Sequence, residues 1–340
     1  MPESFATYRY KSMMNRVLVT GGAGYIGSHT CKALALAGYE PVVFDNLSTG
    51  FRRLVRWGPL VEGDICDSEV VRAALDRFSP IAVIHFAGRI AVGESVIAPA
   101  LHYQTNVAGS LHLLDAMRDV GLDRLVFSSS AAVYGLPTVG LVSETEPLAP
   151  ISPYGRSKLM VEQVLGDYRT AYGLRSVSLR YFNAAGADSE GDAGELHDPE
   201  THLIPLALEA ISNPARPLAL FGDDYPTLDG TCIRDYVHVS DLAQAHVMAV
   251  KLLDQADAPS ALNVGTGLGY SVRSVLAAIE RTTGRVVPHV VGPRRAGDPA
   301  QLVADSRQLQ KLTGWKAGHS NLDVIVSSAW GWHRAQAARN

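Results

Sequence analysis

The sequence predicts an α/β protein: a doubly wound parallel sheet followed by a smaller C-terminal α/β region. Three observations carry this. Short β-rich runs alternate with helical stretches from Arg16 to Arg180. Runs such as Val83-Ile-His-Phe86 and Leu125-Val-Phe127 are apolar at nearly every position, as strands must be when helices cover both faces of their sheet. After Asn183 the texture changes, with Gly186, Gly191 and Gly194 set among acids and then Pro199, Pro205, Pro214 and Pro217.

Taken in order, residues 1–14 show no periodicity and are expected to be a disordered leader. Met13 and Met14 leave open a later translation start or an appended remnant. Strands are expected at residues 17–20, 41–45, 60–62, 82–86, 124–128 and 176–180, and covering helices at 28–37, 70–77, 100–118 and 154–172. Gly38 and Gly121 fall where helix C-caps belong. Further helices are expected around 203–210 and 241–253, at 271–283 with Ser271 as N-cap, and in the tail to about residue 338. The first region is placed at 15–182 and the second at 183–340, with a strand or helix free to exchange back to the first. No fixed-period repeat occurs, which argues against a solenoid or propeller.

At 340 residues, 47% hydrophobic and 19% charged, the chain is long enough to bury roughly three quarters of its extended surface. Thirty-four acids against thirty Lys and Arg give a net charge of -4, which disfavours nonspecific attraction to nucleic acid or anionic membranes. The three cysteines, Cys31, Cys66 and Cys232, are far apart and form no CxxC pair, which argues against disulfides and structural zinc. Residues 81–87, among the longest apolar stretches, fall far short of the ~20 residues that span a bilayer. The N-terminus lacks the apolar core of a signal peptide, so a cytoplasmic protein is expected.

Gly22-Ala-Gly24-Tyr-Ile-Gly27 is a GxGxxG turn directly between an apolar strand and a helix, with Gly21 adding a GxxGxxG frame. A pyrophosphate needs N–H groups unobstructed by a Cβ, a tight turn and the positive end of a helix, and the last glycine lets helix and strand pack closely. Asp45 ends the second apolar run 21 residues after Gly24, where a carboxylate accepts from an adenosine ribose diol and repels a 2′-phosphate; this selects NAD. The nearest basic residues, Arg52 and Arg53, lie several positions further on. Asp64 either reaches the adenine edge or caps a helix, a role open equally to Asp67. No GxxxxGK[ST] loop occurs, which disfavours a P-loop ATPase.

Tyr154 and Lys158, four apart at the start of a helix entered through Ser152 and Pro153, share one helix face. A phenol is a poor base at neutral pH, and a nearby ammonium is expected to lower its pKa. Ser130 closes the Ser128-Ser-Ser130 strand end, where ligands of parallel sheets sit. Together Ser130, Tyr154 and Lys158 supply a hydroxyl, a proton acceptor and a charge, which suits removal of an alcohol proton as hydride leaves for nicotinamide. Ser128 and Ser129 read as satisfied turn hydroxyls or cofactor contacts. The scheme requires no metal. The eleven histidines include no HExxH and no tight cluster with acids, and His85 reads as a hydrogen-bonded core residue. Ser130 has no GxSxG elbow, which argues against a hydrolase.

These residues sit in a wider set of motifs: VTGGAGYIGSH (19–29), DNLSTG (45–50), HFAG (85–88), VGES (92–95), SSSAAVYG (128–135), SPYGRSKLMVEQ (152–163), LRYFNAAG (179–186), DGTCIRDYVHVSDLA (229–243) and RRAGD (294–298). With them the chain, from about Arg16 to Trp332, resembles the UDP-glucose 4-epimerases of the extended short-chain dehydrogenase group, whose first domain is Rossmann-like. The resemblance implies Ser130, Tyr154 and Lys158 as the catalytic residues. Around tightly held NAD it implies Gly21, Gly24, Tyr25, Ile26, Gly27, Asp45, Asn46, Asp64, Ile65, Phe86, Ala87, Asn106 and Tyr181, with Tyr154 and Lys158. For the UDP-sugar it implies Asn183, His202, Leu203, Leu220, Phe221, Arg234, Tyr236, Arg295, Asp298 and Leu302, with Ser130 and Tyr154. It further implies oxidation at sugar C4, rotation of the 4-keto sugar, return of hydride to the opposite face, and a homodimer formed through the helices around 100–118 and 154–172.

Two departures from the family pattern stand out. Ile90 replaces a lysine that many relatives carry near the nicotinamide ribose. Leu302 stands where a bulky Tyr restricts some relatives to UDP-glucose and UDP-galactose and a small residue admits N-acetylated sugars. UDP-pentose and UDP-N-acetylhexosamine epimerisation are therefore alternative readings. A sugar-nucleotide dehydratase would need an Asp-Glu pair where Ala131 and Ala132 stand, and an NAD-binding regulator without activity would not need the intact Ser130, Tyr154 and Lys158.

Overall fold

The computed structural model describes residues 15–295 and 297–338; the expected leader, 1–14, lies outside them. Its centre is a seven-stranded, wholly parallel sheet made of β1 (Arg16–Thr20), β2 (Glu40–Asp45), β3 (Leu60–Glu62), β4 (Ala82–His85), β5 (Arg124–Ser130), β6 (Arg175–Tyr181) and β7 (Ala261–Val264), in the order β7-β6-β5-β4-β1-β2-β3. The order reverses between β1 and β4, so the crevice beyond their carboxyl ends is where a doubly wound sheet takes its ligand. The pleat explains the continuous apolar runs. Val17 and Val19 enter a core under helices α1 (Tyr25–Leu36) and α6 (Val239–Leu252), whereas Leu18 enters the opposite core under α2 (Ser68–Phe78), α3 (Gly109–Asp119) and α4 (Pro153–Tyr172). Fully buried side chains of this kind contribute about 1.5–3 kcal/mol each.

Four details correct the sequence reading. Helix α1 begins at Tyr25, three residues early, with Gly24 as its N-cap. The expected 100–118 helix is interrupted: a π-helical stretch, Tyr103–Ala108, joins Pro99–His102 to α3. There Asn106 turns its amide onto both the N–H and the carbonyl of Arg89 (2.7 and 3.0 Å) and onto Ser157 Oγ (3.0 Å), contacts that accompany the widened turn. A short helix, Val92–Ile97, was not anticipated, and neither was β7. That last strand comes from the second half of the chain and pairs with β6, the exchange left open above.

The remainder of the second half packs α5 (Leu203–Ser212), α7 (Val272–Thr283) and α8 (Leu322–Ala337) around their own core. Ser271 caps α7 by accepting from the Ser274 N–H, as its position predicts. Short strands bring the rest of the chain to the sheet's carboxyl edge: Asn183–Ala185 pairs with Tyr236–His238, and Ile233–Arg234 with Gln301–Ala304.

Candidate active site

The glycine turn has the form a dinucleotide requires. Gly21 adopts φ +71°, and a Cβ there would stand 2.7 Å from the Ala87 nitrogen; a Cβ on Gly27 would stand 2.2 Å from the Gly21 carbonyl oxygen. These two glycines let the turn close against β4 and against itself. A Cβ on Gly24 would meet only the Gly21 oxygen, at 3.3 Å, so that backbone is open on its outer side. Within a helix, the N–H groups of the first turn have no carbonyl to bond, which leaves those of Tyr25, Ile26 and Gly27 directed at an anion. The Tyr25 side chain is already committed: its hydroxyl donates to Gly186 O at 2.6 Å and its ring edges against His29 and His197.

Asp45 is buried, accepting from Ala23 N (2.9 Å) and Leu47 N (2.8 Å). Burial raises its pKa and these two bonds oppose the rise. Each oxygen keeps a lone pair for a ribose hydroxyl. Arg52 is paired with Glu62 and Arg53 lies over the Phe51 ring, so both guanidiniums near this turn are engaged. Asn46 donates to Asp64 (2.8 Å), whose other oxygen accepts from Cys66 N; Asp67, not Asp64, is the N-cap of α2. Ile65 is buried. Phe86 and Ala87 continue β4, their N–H groups bonded to Thr20 O. The residues present therefore fit NAD.

At the end of β5, Ser128 Oγ lies 2.5 Å from the Tyr181 hydroxyl, and Ser128 O accepts from Lys158 Nζ at 2.8 Å. Ser129 donates to Glu162, which also holds Arg180 in an ion pair of 2.6 Å. Ser130 accepts from Ala132 N, and its hydroxyl acts on the Tyr154 phenol, opposing the rise in pKa that burial causes. Lys158 Nζ stands 5.9 Å from the Tyr154 ring centre and 5.0 Å from that of Phe127.

The expected depression of the phenol by this ammonium is not what the protein's own groups produce. Burial raises the Tyr154 pKa, with the Ser130 bond opposing; burial also lowers Lys158 to about 8, with Glu162 opposing. In both groups desolvation is the larger influence, opposed at Tyr154 by the Ser130 hydroxyl and at Lys158 by the Glu162 carboxylate. His85 is a core residue as expected, with Thr20 Oγ1 2.7 Å and Ser110 Oγ 2.9 Å from its two ring nitrogens, and burial lowers its pKa to about 3.

The residues expected to hold a sugar nucleotide lie mainly in the second half of the chain. Asn183 donates to Asp235 O and lies in register with Tyr236; Arg234 pairs with Asp298 at 2.5 Å; Arg295 stacks 4.1 Å above the Phe221 ring. Leu302 is the register partner of Arg234 and packs with Ala131, Val133 and Tyr134, just past Ser130. Leu220 is buried, and His202 is the N-cap residue of α5, whose first residue is Leu203. Ile90 is exposed beside Arg89, which is paired with Glu94.

Sequence reasoning missed Ser157 and Glu162, which fix Asn106, Ser129 and Arg180. The available signal was Arg180 itself, a charge within an apolar strand that demands a buried partner. It also missed a cluster: contrary to the expectation of no tight grouping of histidines with acids, ligand atoms of Glu195, His197, Glu200 and His202 all lie within 4.8 Å of one another.

Fold, glycine turn and Tyr-x-x-x-Lys pair define an NAD-linked enzyme of the short-chain dehydrogenase type, and the comparisons agree: the NAD dependent epimerase/dehydratase family model matches residues 17–265, and the chain belongs to that family. Within it the chain groups with the UDP-glucose 4-epimerases. One from Rhizobium meliloti (strain 1021) is 51% identical, covering 94% of this chain and 97% of its own length. The crystal structure of another, from Brucella ovis in complex with NAD, is 53% identical with a TM-score of 0.91, covering 93% of this chain and 98% of its own. A third, from Stenotrophomonas maltophila with bound NAD and formylated UDP-arabinopyranose, is 41% identical with a TM-score of 0.91 over 96% and 99%.

Proposed function

We propose that this chain catalyses the reversible 4-epimerisation of UDP-glucose and UDP-galactose. The observation that carries the reading is Lys158, anchored on Ser128 O at the end of β5, standing 5.9 Å from the Tyr154 ring centre on the sheet edge that also holds Ser130 and the open Gly24 turn. NAD, when bound, supplies the hydride acceptor and a positively charged ring.

Tyr154 Oη takes the proton of the sugar 4-hydroxyl and later returns it, while Ser130 orients that hydroxyl. Lys158, fixed by Ser128 O, provides the positive charge that favours the phenolate form in which Tyr154 can accept that proton. Arg234 and Arg295 meet the substrate diphosphate with charge-assisted hydrogen bonds, and Asn183, His202, Leu203, Leu220, Phe221, Tyr236 and Asp298 complete the nucleotide end. Affinity held in the UDP moiety leaves the sugar lightly held, so both of its faces can be presented.

In this reading residues 15–182 with β7 form the NAD domain, and 183–340 mainly the substrate domain. Leu302, packed with Ala131 and Val133, is intermediate in bulk between a Tyr and a small residue, and the formylated UDP-arabinopyranose in the Stenotrophomonas maltophila structure makes pentoses the second reading.

We place the enzyme in the cytoplasm as a homodimer. Cys31, Cys66 and Cys232 are free thiols, and among the described residues no helix is long and apolar enough to cross a membrane. Val96, Ile97, Leu101 and Met160 expose large apolar side chains on Val92–Ile97, Pro99–His102 and α4, helices that pack on one another and offer a face to a second copy.

The test incubates purified protein with a panel of UDP-sugars and no added nucleotide, with products separated by chromatography. UDP-glucose and UDP-galactose should interconvert fastest, pentoses next and N-acetyl forms slowest. A requirement for stoichiometric external NADH, or no turnover of any of them, refutes the reading.

A further inference from the structure

The loop between Asn183–Ala185 and α5 carries the sequence Glu195-Leu-His197-Asp-Pro-Glu200-Thr-His202 and folds its two imidazoles and two carboxylates onto one point. His202 Nδ1 lies 2.9 Å from Glu195 Oε1 and 2.9 Å from Glu200 Oε1; His197 Nδ1 lies 3.3 Å from Glu195 Oε1 and 3.6 Å from Glu200 Oε2. A tetrahedral ion with bonds of about 2.0–2.1 Å sets its ligand atoms about 3.3 Å apart; the three separations that share Glu195 Oε1 or His202 Nδ1 are 2.9, 2.9 and 3.3 Å, and the fourth uses the other Glu200 oxygen.

We propose that Glu195, His197, Glu200 and His202 form a binding site for a divalent first-row transition ion, zinc being the representative case, which adjoins through His202 the nucleotide end of the substrate site proposed above. A second observation supports it: His197 Nδ1 is buried and faces both carboxylates at 3.3 and 3.6 Å without a contact of hydrogen-bond geometry. The donor set selects the ion. Two imidazole nitrogens disfavour magnesium and calcium, which take oxygen ligands, and four protein donors suit a closed structural site rather than a catalytic one.

The supporting shell is in place. Glu200 Oε1 accepts from the N–H groups of Thr201 (2.7 Å) and His202 (2.8 Å), Trp332 Nε1 donates to Glu195 O at 2.9 Å, and the Tyr25 ring edges against His197. Bound there, an ion would pin the loop that ends at His202 and Leu203, the entry to α5.

The holoenzyme, stripped by dialysis against a chelator, is titrated with zinc chloride in competition with a chromophoric chelator and with cobalt chloride, whose visible absorption reports tetrahedral coordination. One ion per chain is expected, unaffected by excess magnesium or calcium. His197→Asn and Glu195→Gln should each weaken zinc binding by at least ~100-fold while melting temperature and bound NAD report the fold. If His197→Asn does not fold, the nearly isosteric Glu195→Gln decides. Absence of stoichiometric binding in the parent protein, or zinc affinity unchanged in the variants, overturns the proposal and leaves an ion-pair network only. None of these readouts depends on epimerisation.

Discussion

Glu162 lies one helical turn beyond Lys158 and is the carboxylate on which β5 and β6 converge, because it accepts from Ser129 Oγ and from both Nε and Nη2 of Arg180. The Arg180 and Glu162 side chains are 7% and 8% exposed, so water screens their attraction little. Glu162→Gln keeps the shape and leaves the guanidinium buried without its counter-charge, a loss of about 3–5 kcal/mol. A second effect has a defined sign. Burial lowers Lys158 to about 8 and Glu162 holds it up, so removing the carboxylate moves Lys158 further down. The ammonium is present only below its pKa, so turnover in the parent should fall as pH rises through about 8, and in Glu162→Gln that alkaline limb should lie at lower pH. Urea unfolding monitored by fluorescence measures the first effect, and a kcat profile against pH the second. The double variant Glu162→Leu, Arg180→Met removes both charges and should regain stability without restoring the alkaline limb, separating packing from electrostatics. A loss below about 1 kcal/mol together with an unshifted alkaline limb would refute the reasoning.

Tyr154→Phe removes one hydroxyl from a buried ring that otherwise keeps its packing; turnover should fall by about 10²–10⁴-fold, the usual contribution of a general acid–base group, with bound NAD retained. Turnover within about tenfold of the parent would show that another group carries the proton. Leu302→Ala vacates space beside Ala131 and Val133, and the preference for UDP-glucose over UDP-N-acetylglucosamine should narrow by roughly 10–200-fold in kcat/KM; an unchanged ratio would place the acetyl group elsewhere.

The features legible in the sequence are those fixed by local spacing. Gly21, Gly24 and Gly27 lie within one strand–turn–helix, and Ser152, Pro153, Tyr154 and Lys158 within the first turns of one helix, so their arrangement follows from backbone geometry. Contacts that join distant segments could not be read this way. The π-helical stretch accompanies what Asn106 finds at Arg89 and Ser157, and β7 is assigned by its pairing with β6. The electrostatics of Tyr154 and Lys158 depend on how deeply each is buried, which spacing does not encode. The Glu195–His202 cluster falls between these cases: all four residues were visible in eight positions, but only the folded loop turns them inward.

The seventh strand bears on how the protein is made. Cut after residue 182, the chain would expose the whole outer margin of β6 as unpaired amides and carbonyls, a template for joining other chains. On the ribosome that margin stays open until residue 264 has emerged, well after the glycine turn has been synthesised. Completion of the nucleotide-binding half is therefore an event of the nearly finished polypeptide, and the two halves cannot be separated by a single cut without leaving one of them raw-edged.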